Sequence, residues 1–342
     1  MSGNKAIVDN TFKKYELKIQ YDKIRLLELF TTKDLSNEVS KLGITLSGLE
    51  YSVKTASSVE DKVDRQIEKG ADNSPVRILE NMGDVIRYTA ICNHDNIINI
   101  AKQIQKDLEN KDYILNGISN YYKTPFKKTL YMGFHMSFVS PQGQIAEIQV
   151  HSNESFKVKQ DGHEMYEIIR NVSTPAEEKN KVLGKIRKLH QSISKPKDYE
   201  TIDNFVSSDL SEVKKLRKED TNINIQYSTN SQAKNITKFD INFKNEPMFK
   251  GFEISFQDNS AWRLIYDCKE KTLSLDILDS KGQVIKTTLN KNIDKFDMSM
   301  EDIEKIADEQ INSHNRWMKN FDIEIDNIME IIKNEENINV ER

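Results

Sequence analysis

Glu147, Gln149 and His151 alternate along Glu147-Ile148-Gln149-Val150-His151. A strand's period of two puts these three on one face and Ile148 and Val150 on the other. An ordinary buried face would be apolar there, so three chemically capable side chains in a row mark a candidate site. Upstream, Tyr131 and His135 stand four apart, and Phe134, Met136, Phe138, Ile145, Ile148 and Val150 supply apolar filling. A second group is Lys54-Thr55-Ala56-Ser57-Ser58-Val59-Glu60-Asp61-Lys62. Its hydroxyl residues make a good helix N-cap, and helix N-terminal N–H groups beside lysines suit a phosphate. A plain capped helix with a solvated lysine face has the same pattern. A third signal is negative: from Tyr113 to Ala146 there is no aspartate or glutamate, while Lys123, Lys127 and Lys128 are present. That makes a local positive field around Tyr121, Tyr122 and Tyr131, suited to a polyphosphate and a stacked base, or simply a solvated basic loop.

The elements that must position these residues follow from the local pattern. Lys127 to Gln149 reads as two strands joined by a turn at Ser140-Pro141-Gln142-Gly143, with Pro where a preset φ helps and Gly where a positive φ is tolerated. Residues 10–42 carry helical periodicity with a second start at Thr31-Thr32-Lys33-Asp34, which predicts a helical hairpin. Ile44–Val53 and Asp84–Ile91 read as strands and Asn96–Asn110 as an amphipathic helix, with a loop at residues 70–75.

With these residues in order, the chain resembles the synthetase domain of RelA/SpoT-type alarmone synthetases, over roughly residues 44–170, as a divergent synthetase-only branch. VKTASSVEDK stands where that family has a phosphate motif of the form RVKxxxSxxxK, and YYKTPFKKTLYMGFH stands where it has DYIxxPKxNGYxSxH. EIQVHS stands for EIQIRT, and His163-x-x-Tyr166 follows as in the family's next helix. The resemblance implies transfer of the β,γ-pyrophosphate of ATP to a ribose hydroxyl of a nucleotide, usually a guanine nucleotide, or of an RNA 3′ end. Positioning and charge neutralisation carry most of such a reaction. It further implies that Lys54, Ser58, Lys62 and Lys127 hold the donor's phosphates and that Arg87 flanks the donor's adenosine or its phosphates. Tyr131, His135, His151 and Lys123 would meet the acceptor, with Tyr131 stacking on its base. Glu147 would bind Mg²⁺ or accept the attacking proton, Gln149 would orient the acceptor, and Asp84 would be a further metal ligand.

The departures from the family pattern cluster at the same places. Ser52 takes the position of the arginine that opens the phosphate motif, and Met82 that of the metal aspartate; Asp84 lies two residues along, on the same strand face. Leu130 replaces the glycine before the tyrosine, Gly133 a serine, and His151 the arginine of EIQIRT, exchanging a fixed cation for one that titrates near neutrality. The resemblance does not extend to the metal-dependent hydrolase domain that other members of the family carry. Relatives of this divergent kind include toxins acting on adenine nucleotides or on tRNA 3′ ends, which makes a toxin or effector one expectation.

The chain has 342 residues and a net charge of −4, long enough for two domains and without the basicity of a nonspecific nucleic-acid binder. No apolar run approaches a membrane span and the start has no hydrophobic signal core, so the expected setting is the cytoplasm without membrane partners, export as an effector being the alternative. Cys92 and Cys268 are isolated, which fits a reducing compartment. Thr174-Pro175 opens a helix reaching about Ser194. The period then changes: residues 222–227, 236–243, 252–256, 262–266, 273–278 and 284–289 alternate as strands, with turns at Asp258-Asn259, Cys268–Lys271 and Ser280-Lys281-Gly282. A long helix or helix pair, Met300–Asn334, closes the chain. Trp262, Tyr266 and Trp317 read as core, and His314 as a solvated residue.

The expected fold class is therefore α+β, a mixed sheet flanked by helices followed by a second α+β domain with an antiparallel sheet. The expected division is an N-terminal helical region at 1–43, a pyrophosphotransferase domain at 44–196, a connector at 197–220 and a domain at 221–342 that could position an acceptor, bind a protein partner or autoinhibit the first. Three functions remain open from the sequence: an ATP-dependent pyrophosphotransferase with ATP, Mg²⁺ and a nucleotide or RNA acceptor, a catalytically degenerate nucleotide sensor, and an interaction protein.

Overall fold

The computed structural model describes residues 2–70, 74–171, 173–229, 235–256, 260–280 and 284–311. The chain divides into two compact units, residues 1–220 and 221–342. The first contains, in order, α1 (Ser2–Lys41), β1 (Thr45–Ser47), α2 (Ala56–Glu68), α3 (Pro75–Glu80), β2 (Ile86–Cys92), α4 (Ile97–Glu109), β3 (Ile114–Asn120), β4 (Phe134–Val139), β5 (Ile145–Ser152), α5 (Asn153–Asp161), α6 (His163–Arg170), α7 (Ala176–Gln191), β6 (Phe205–Val206) and α8 (Ser211–Glu219). Its strands form one mixed sheet in the order β1-β2-β5-β4-β3-β6, in which β2 and β5 run parallel and the remaining neighbours antiparallel.

One face of this sheet is apolar for the reason its alternation gives. Tyr88 and Ala90 of β2, Ile148 and Val150 of β5, and Phe134, Met136 and Phe138 of β4 pack with Leu17, Ile24, Leu35 and Val39 of α1 and Ile97, Ala101, Ile104 and Leu108 of α4. The opposite face keeps the polar residues. Register sets Arg87 beside Glu147 and Glu147 beside Ser137, then Thr89 beside Gln149 and Gln149 beside His135.

The β4–β5 turn closes as its residues require: Gly143 N–H donates to the Ser140 carbonyl at 2.9 Å, and Gly143 takes φ 78°. A Cβ there would also lie 2.6 Å from the carbonyl oxygen of Lys214 on α8, so the glycine is needed for packing too.

Four expectations are corrected. The N-terminal helical hairpin is a single helix, α1. Thr31 is buried within it, and the Thr32 hydroxyl bonds the Glu28 side chain one turn back instead of capping a new start. Residues before Phe134 are not strand; a turn holds them, with Leu130 N–H donating to the Phe126 carbonyl at 2.7 Å and Leu130 at φ 59°. Thr174 does not cap α7, whose N-cap is Pro175 without a side-chain bond. Tyr122 is fully buried, its hydroxyl 3.2 Å from Ser155 Oγ, which removes it from any base-stacking surface.

The second unit is an antiparallel meander of β7 (Thr221–Ser228), β8 (Asn235–Phe243), β9 (Glu246–Ser255), β10 (Ala261–Asp267), β11 (Thr272–Leu278) and β12 (Val284–Asn292), followed by α9 (Met300–Ile311). Ile303, Ile306 and Ala307 of α9 close over Ile236, Phe252, Ile254, Trp262, Leu264 and Tyr266, so Trp262 and Tyr266 are core residues. The expected turns at Asp258-Asn259 and Ser280-Lys281-Gly282, in part, and His314, Trp317 and the rest of the long closing helix lie outside the described residues. Among the described residues no helix is long and apolar enough to cross a membrane.

Candidate active site

The phosphate-motif residues gather at the start of α2. Thr55 caps the helix, its Oγ1 accepting from Ser58 N–H at 3.3 Å and donating to Ser58 Oγ at 2.9 Å. Lys54 immediately precedes the cap and Lys62 lies one turn beyond Ser58, so both ammoniums reach the same carboxylate: Lys54 Nζ is 3.1 Å from Asp84 Oδ2 and Lys62 Nζ 2.5 Å from Asp84 Oδ1. Burial acts to raise the Asp84 pKa, and the two ammoniums outweigh it, leaving the carboxyl below its ordinary value. Burial lowers Lys54, opposed by Asp84 and reinforced by Lys62 and Arg87. Met82, at the family's metal-aspartate position, is a core residue. Ser52 is buried too, its Oγ donating to Glu28 Oε1 of α1 at 2.9 Å, so the position of the missing arginine is turned onto the helix.

The sheet face carries the second group. Gln149 Nε2 donates to Glu147 Oε1, and His135 Nδ1 lies 3.6 Å from that same oxygen. Glu147 Oε2 has no protein partner among the described residues, and neither does the Arg87 guanidinium beside it. From His135 a chain of contacts runs inward. Its Nε2 is 2.8 Å from the Tyr131 hydroxyl, which is 3.0 Å from His151 Nε2, and His151 Nδ1 is 3.0 Å from Ser155 Oγ.

Charge decides the direction of that chain. Burial holds His135 down at about 4 and His151 well below 6.5, so both rings are neutral at pH 7 and each carries one N–H. A carboxylate facing His135 Nδ1 favours the proton there, so Nε2 accepts from Tyr131. The Tyr131 oxygen then accepts from His151 Nε2–H, which leaves His151 Nδ1 an acceptor facing Ser155 Oγ, whose one proton is shared between it and the Ser152 carbonyl at 3.3 Å. From His151 outward the donors point toward Glu147.

Tyr131 is enclosed by rings, edge-to-face with Tyr121 (5.5 Å), His135 (5.5 Å), His151 (6.1 Å) and His190 (5.3 Å). Burial raises its phenol well above 10 and holds His190 at about 4. Gly133 makes this closure possible, since a Cβ there would lie 2.6 Å from Tyr131 Oη and 3.0 Å from His151 Cε1. Two departures from the family pattern, Gly133 and His151, are thus parts of one arrangement.

The remaining expected residues divide. Lys123 is tied down, its Nζ 2.6 Å from Asp203 Oδ1 and 3.1 Å from the Glu200 carbonyl, and Asn120 of the same turn bonds Tyr199, Ile202 and Asn204. Residues 197–220 therefore pack onto the sheet's edge, adding β6 beside β3. Lys127 stays exposed in the turn before Tyr131. Lys159 stands outside all the motifs, yet it enters the face from α5, with Nζ 2.5 Å from Gln149 Oε1 and 3.4 Å from Thr89 Oγ1. The signal available for it was a lysine two turns into a helix that starts directly where a site strand ends.

No protein-family model and no curated protein matches the chain. Among solved structures it is similar to the small alarmone synthetase 1 from Bacillus subtilis bound to its product pppGpp, 16% identical over 52% of this chain and 92% of that one, with a TM-score of 0.38. It is similar also to a GTP pyrophosphokinase family protein from Streptococcus pneumoniae, at 16% identity over 52% and 87% with a TM-score of 0.36. A Type VI effector in complex with its immunity protein aligns at 16% identity over 51% and 94%, again with a TM-score of 0.36.

Proposed function

We propose that the first unit is a pyrophosphotransferase that moves the β,γ-pyrophosphate of ATP to a ribose hydroxyl of a nucleotide or of an RNA 3′ end. One observation carries the reading. The sheet face sets a carboxylate with an open oxygen, Glu147, beside an unpaired guanidinium, Arg87, and within one polar surface that includes Gln149, His135 and Lys159. Lys54, just before the cap of α2, and Lys62, on its second turn, supply two more cations, the former close enough for Arg87 to shift its pKa. Four cations against Asp84 and Glu147 leave the region positive in a chain of net charge −4. Such a surface suits a polyphosphate.

In this reading the donor's phosphates lie against Lys54, Lys62, Arg87 and Lys127. The acceptor oxygen attacks the β-phosphorus, its bond to the α,β-bridging oxygen breaks, and AMP leaves with that oxygen. The hydroxyl proton passes to Glu147, whose orientation is fixed by Gln149 and His135. Tyr131, gripped between two imidazoles, forms a rigid wall for the acceptor.

Mg²⁺ fits the donor set in part. Among the described residues no group of three His, Cys, Asp or Glu side chains is placed to hold a metal. Mg²⁺ with nucleotides needs only one or two carboxylates, the rest being phosphate oxygens and waters. Glu147 Oε2 is open for that role as the alternative to taking the hydroxyl's proton, whereas both Asp84 oxygens are taken by lysines. When bound, the ion would neutralise phosphate charge.

The engagement of Asp84 favours a second reading, a nucleotide sensor that binds without turnover. AMP release from Mg²⁺–ATP separates the two. The enzyme reading expects AMP from the wild type in the presence of an acceptor, and none from a folded Glu147→Gln variant. Tight ATP binding with no AMP for any acceptor supports the sensor.

A further inference from the structure

Lys159 and Arg87 have no role in the motif reading as a pair, and their placement gives them one. The α5 helix starts at the end of β5, where Ser152 and Ser155 cap it reciprocally, and this folds the helix back beside the sheet. Lys159 consequently reaches the polar face, where among the described residues its ammonium meets the neutral groups of Gln149 and Thr89 and the ring of Phe156. Arg87 precedes Thr89 by two residues on the same face of β2 and has no hydrogen-bond or ion-pair partner among the described residues. The one carboxylate on this face, Glu147, spends Oε1 on Gln149 and His135. Two half-buried cations held close together without a contacting anion oppose each other, and a bound anion relieves that opposition.

Resting on the pyrophosphotransferase reading of this face, we propose that Lys159 and Arg87 form a phosphate subsite beyond the Lys54–Lys62 pair, filled by a phosphate of the donor or of the acceptor. A guanidinium fork matches two phosphate oxygens, and a lysine adds a point charge from a second element. Gln149 is then the hinge between subsite and base. Its carbonyl oxygen faces Lys159 and its amide nitrogen faces Glu147, so filling the subsite is coupled to the orientation of the carboxylate.

The groups facing Lys159 are Arg87 and Thr89 from β2, Glu147, Gln149 and His151 from β5, His135 from β4 and the Phe156 ring on its own helix, whose centroid is 5.6 Å from Nζ. Burial, with Arg87 adding to it and Glu147 opposing, brings the ammonium down to about 8. The two histidines lose their protons well below that range.

The test is calorimetric binding of pyrophosphate, a non-hydrolysable ATP analogue and GDP to the full chain, in wild type, Lys159→Met and Lys159→Arg. Lys159→Met is expected to weaken pyrophosphate ten-fold or more, while Lys159→Arg stays within a few-fold of wild type. A matching loss for the ATP analogue alone assigns the subsite to the donor, and for GDP alone to the acceptor. Between about pH 7 and 9.5 the pyrophosphate affinity of wild type should fall relative to that of Lys159→Arg at the same pH, a ratio in which the ligand's own ionisation cancels. This profile needs no methionine variant to fold. Binding by wild type that Lys159→Met leaves unchanged, or a ratio of wild type to Lys159→Arg that stays flat with pH, overturns the subsite alone. Failure of the wild type to bind any of the three overturns the subsite together with the pyrophosphotransferase reading.

Discussion

Gly133→Ala is expected to damage the site from its centre, and the cost follows from one contact. The added Cβ would lie 2.6 Å from Tyr131 Oη and 3.0 Å from His151 Cε1. An ordinary carbon–oxygen contact is about 3.3 Å, so the phenol must retreat by roughly 0.7 Å. That retreat stretches its bonds to His135 Nε2 and His151 Nε2, now 2.8 and 3.0 Å. Overpacking costs about 1–3 kcal/mol, and a buried polar group left without a partner about 1–3 kcal/mol more. The expected loss is about 2–6 kcal/mol, local to β4, β5 and the turn before them. Tyr131→Phe removes the closest clashing atom and leaves Cζ at 3.0 Å, so the double variant should cost at least about 1 kcal/mol less than the sum of the two single changes. The tryptophans are at 262 and 317, outside the first unit, so tryptophan fluorescence does not follow it. Amide hydrogen exchange resolved to β4 and β5 peptides does. A Gly133→Ala cost below about 0.5 kcal/mol, or strict additivity with Tyr131→Phe, would refute the claim that glycine is what lets tyrosine and histidine close.

Other expectations follow from single residues. His135 is held at about 4 in the folded chain against an ordinary 6.5, so between those values the unfolded state binds more protons. Stability from this group is therefore complete above about pH 6.5 and falls as pH drops toward 4, by roughly 3 kcal/mol in all; exchange protection of β4 that is level from pH 7 to 4.5 would contradict it. Leu130 occupies the left-handed region at φ 59°, which costs an L residue about 1–2 kcal/mol, while glycine's extra chain entropy costs about 0.5–1. Leu130→Gly should accordingly leave stability unchanged or raise it by up to about 1 kcal/mol, and Leu130→Val should lower it, in the same exchange measurement. In the second unit, Gly251→Ala would place a Cβ 2.0 Å from the Leu264 carbonyl oxygen and is expected to cost about 3 kcal/mol or more, read by Trp262 fluorescence in urea. An unchanged urea midpoint would mean that the β9–β10 pair relaxes freely.

The parts of the molecule legible in its sequence are those where a local pattern and the fold agree. The alternation around Glu147 placed β5 and its two faces, and Ser140-Pro141-Gln142-Gly143 placed the turn before it. The six strands of the second unit each showed period two between polar turns, and all six are present. What local pattern missed was decided by distant contacts. The β3 strand, Ile114–Asn120, contains Gly117 and two asparagines, poor strand formers that its pairing with β4 and β6 overrides. The single α1 helix passes through Thr31-Thr32, whose hydroxyls look like a helix start until Glu28 and Tyr88 are seen to bond Thr32. Residues 197–220 look like a connector because β6 is two residues long with both side chains exposed, and the apolar Tyr199 and Ile202 that pack against the core follow no regular period. Lys159 and His190 reach the site from the helices α5 and α7, and no spacing within either helix points to the sheet.

The most direct test is transfer of label from ATP carrying a labelled γ-phosphate. Purified protein with Mg²⁺ would be offered GDP, GTP, ADP, ATP and bulk tRNA in separate reactions, with Glu147→Gln beside each. The account predicts AMP in equal amount to label appearing on one acceptor, and neither product from the folded variant. Label on no acceptor, or transfer undiminished by Glu147→Gln, would contradict it.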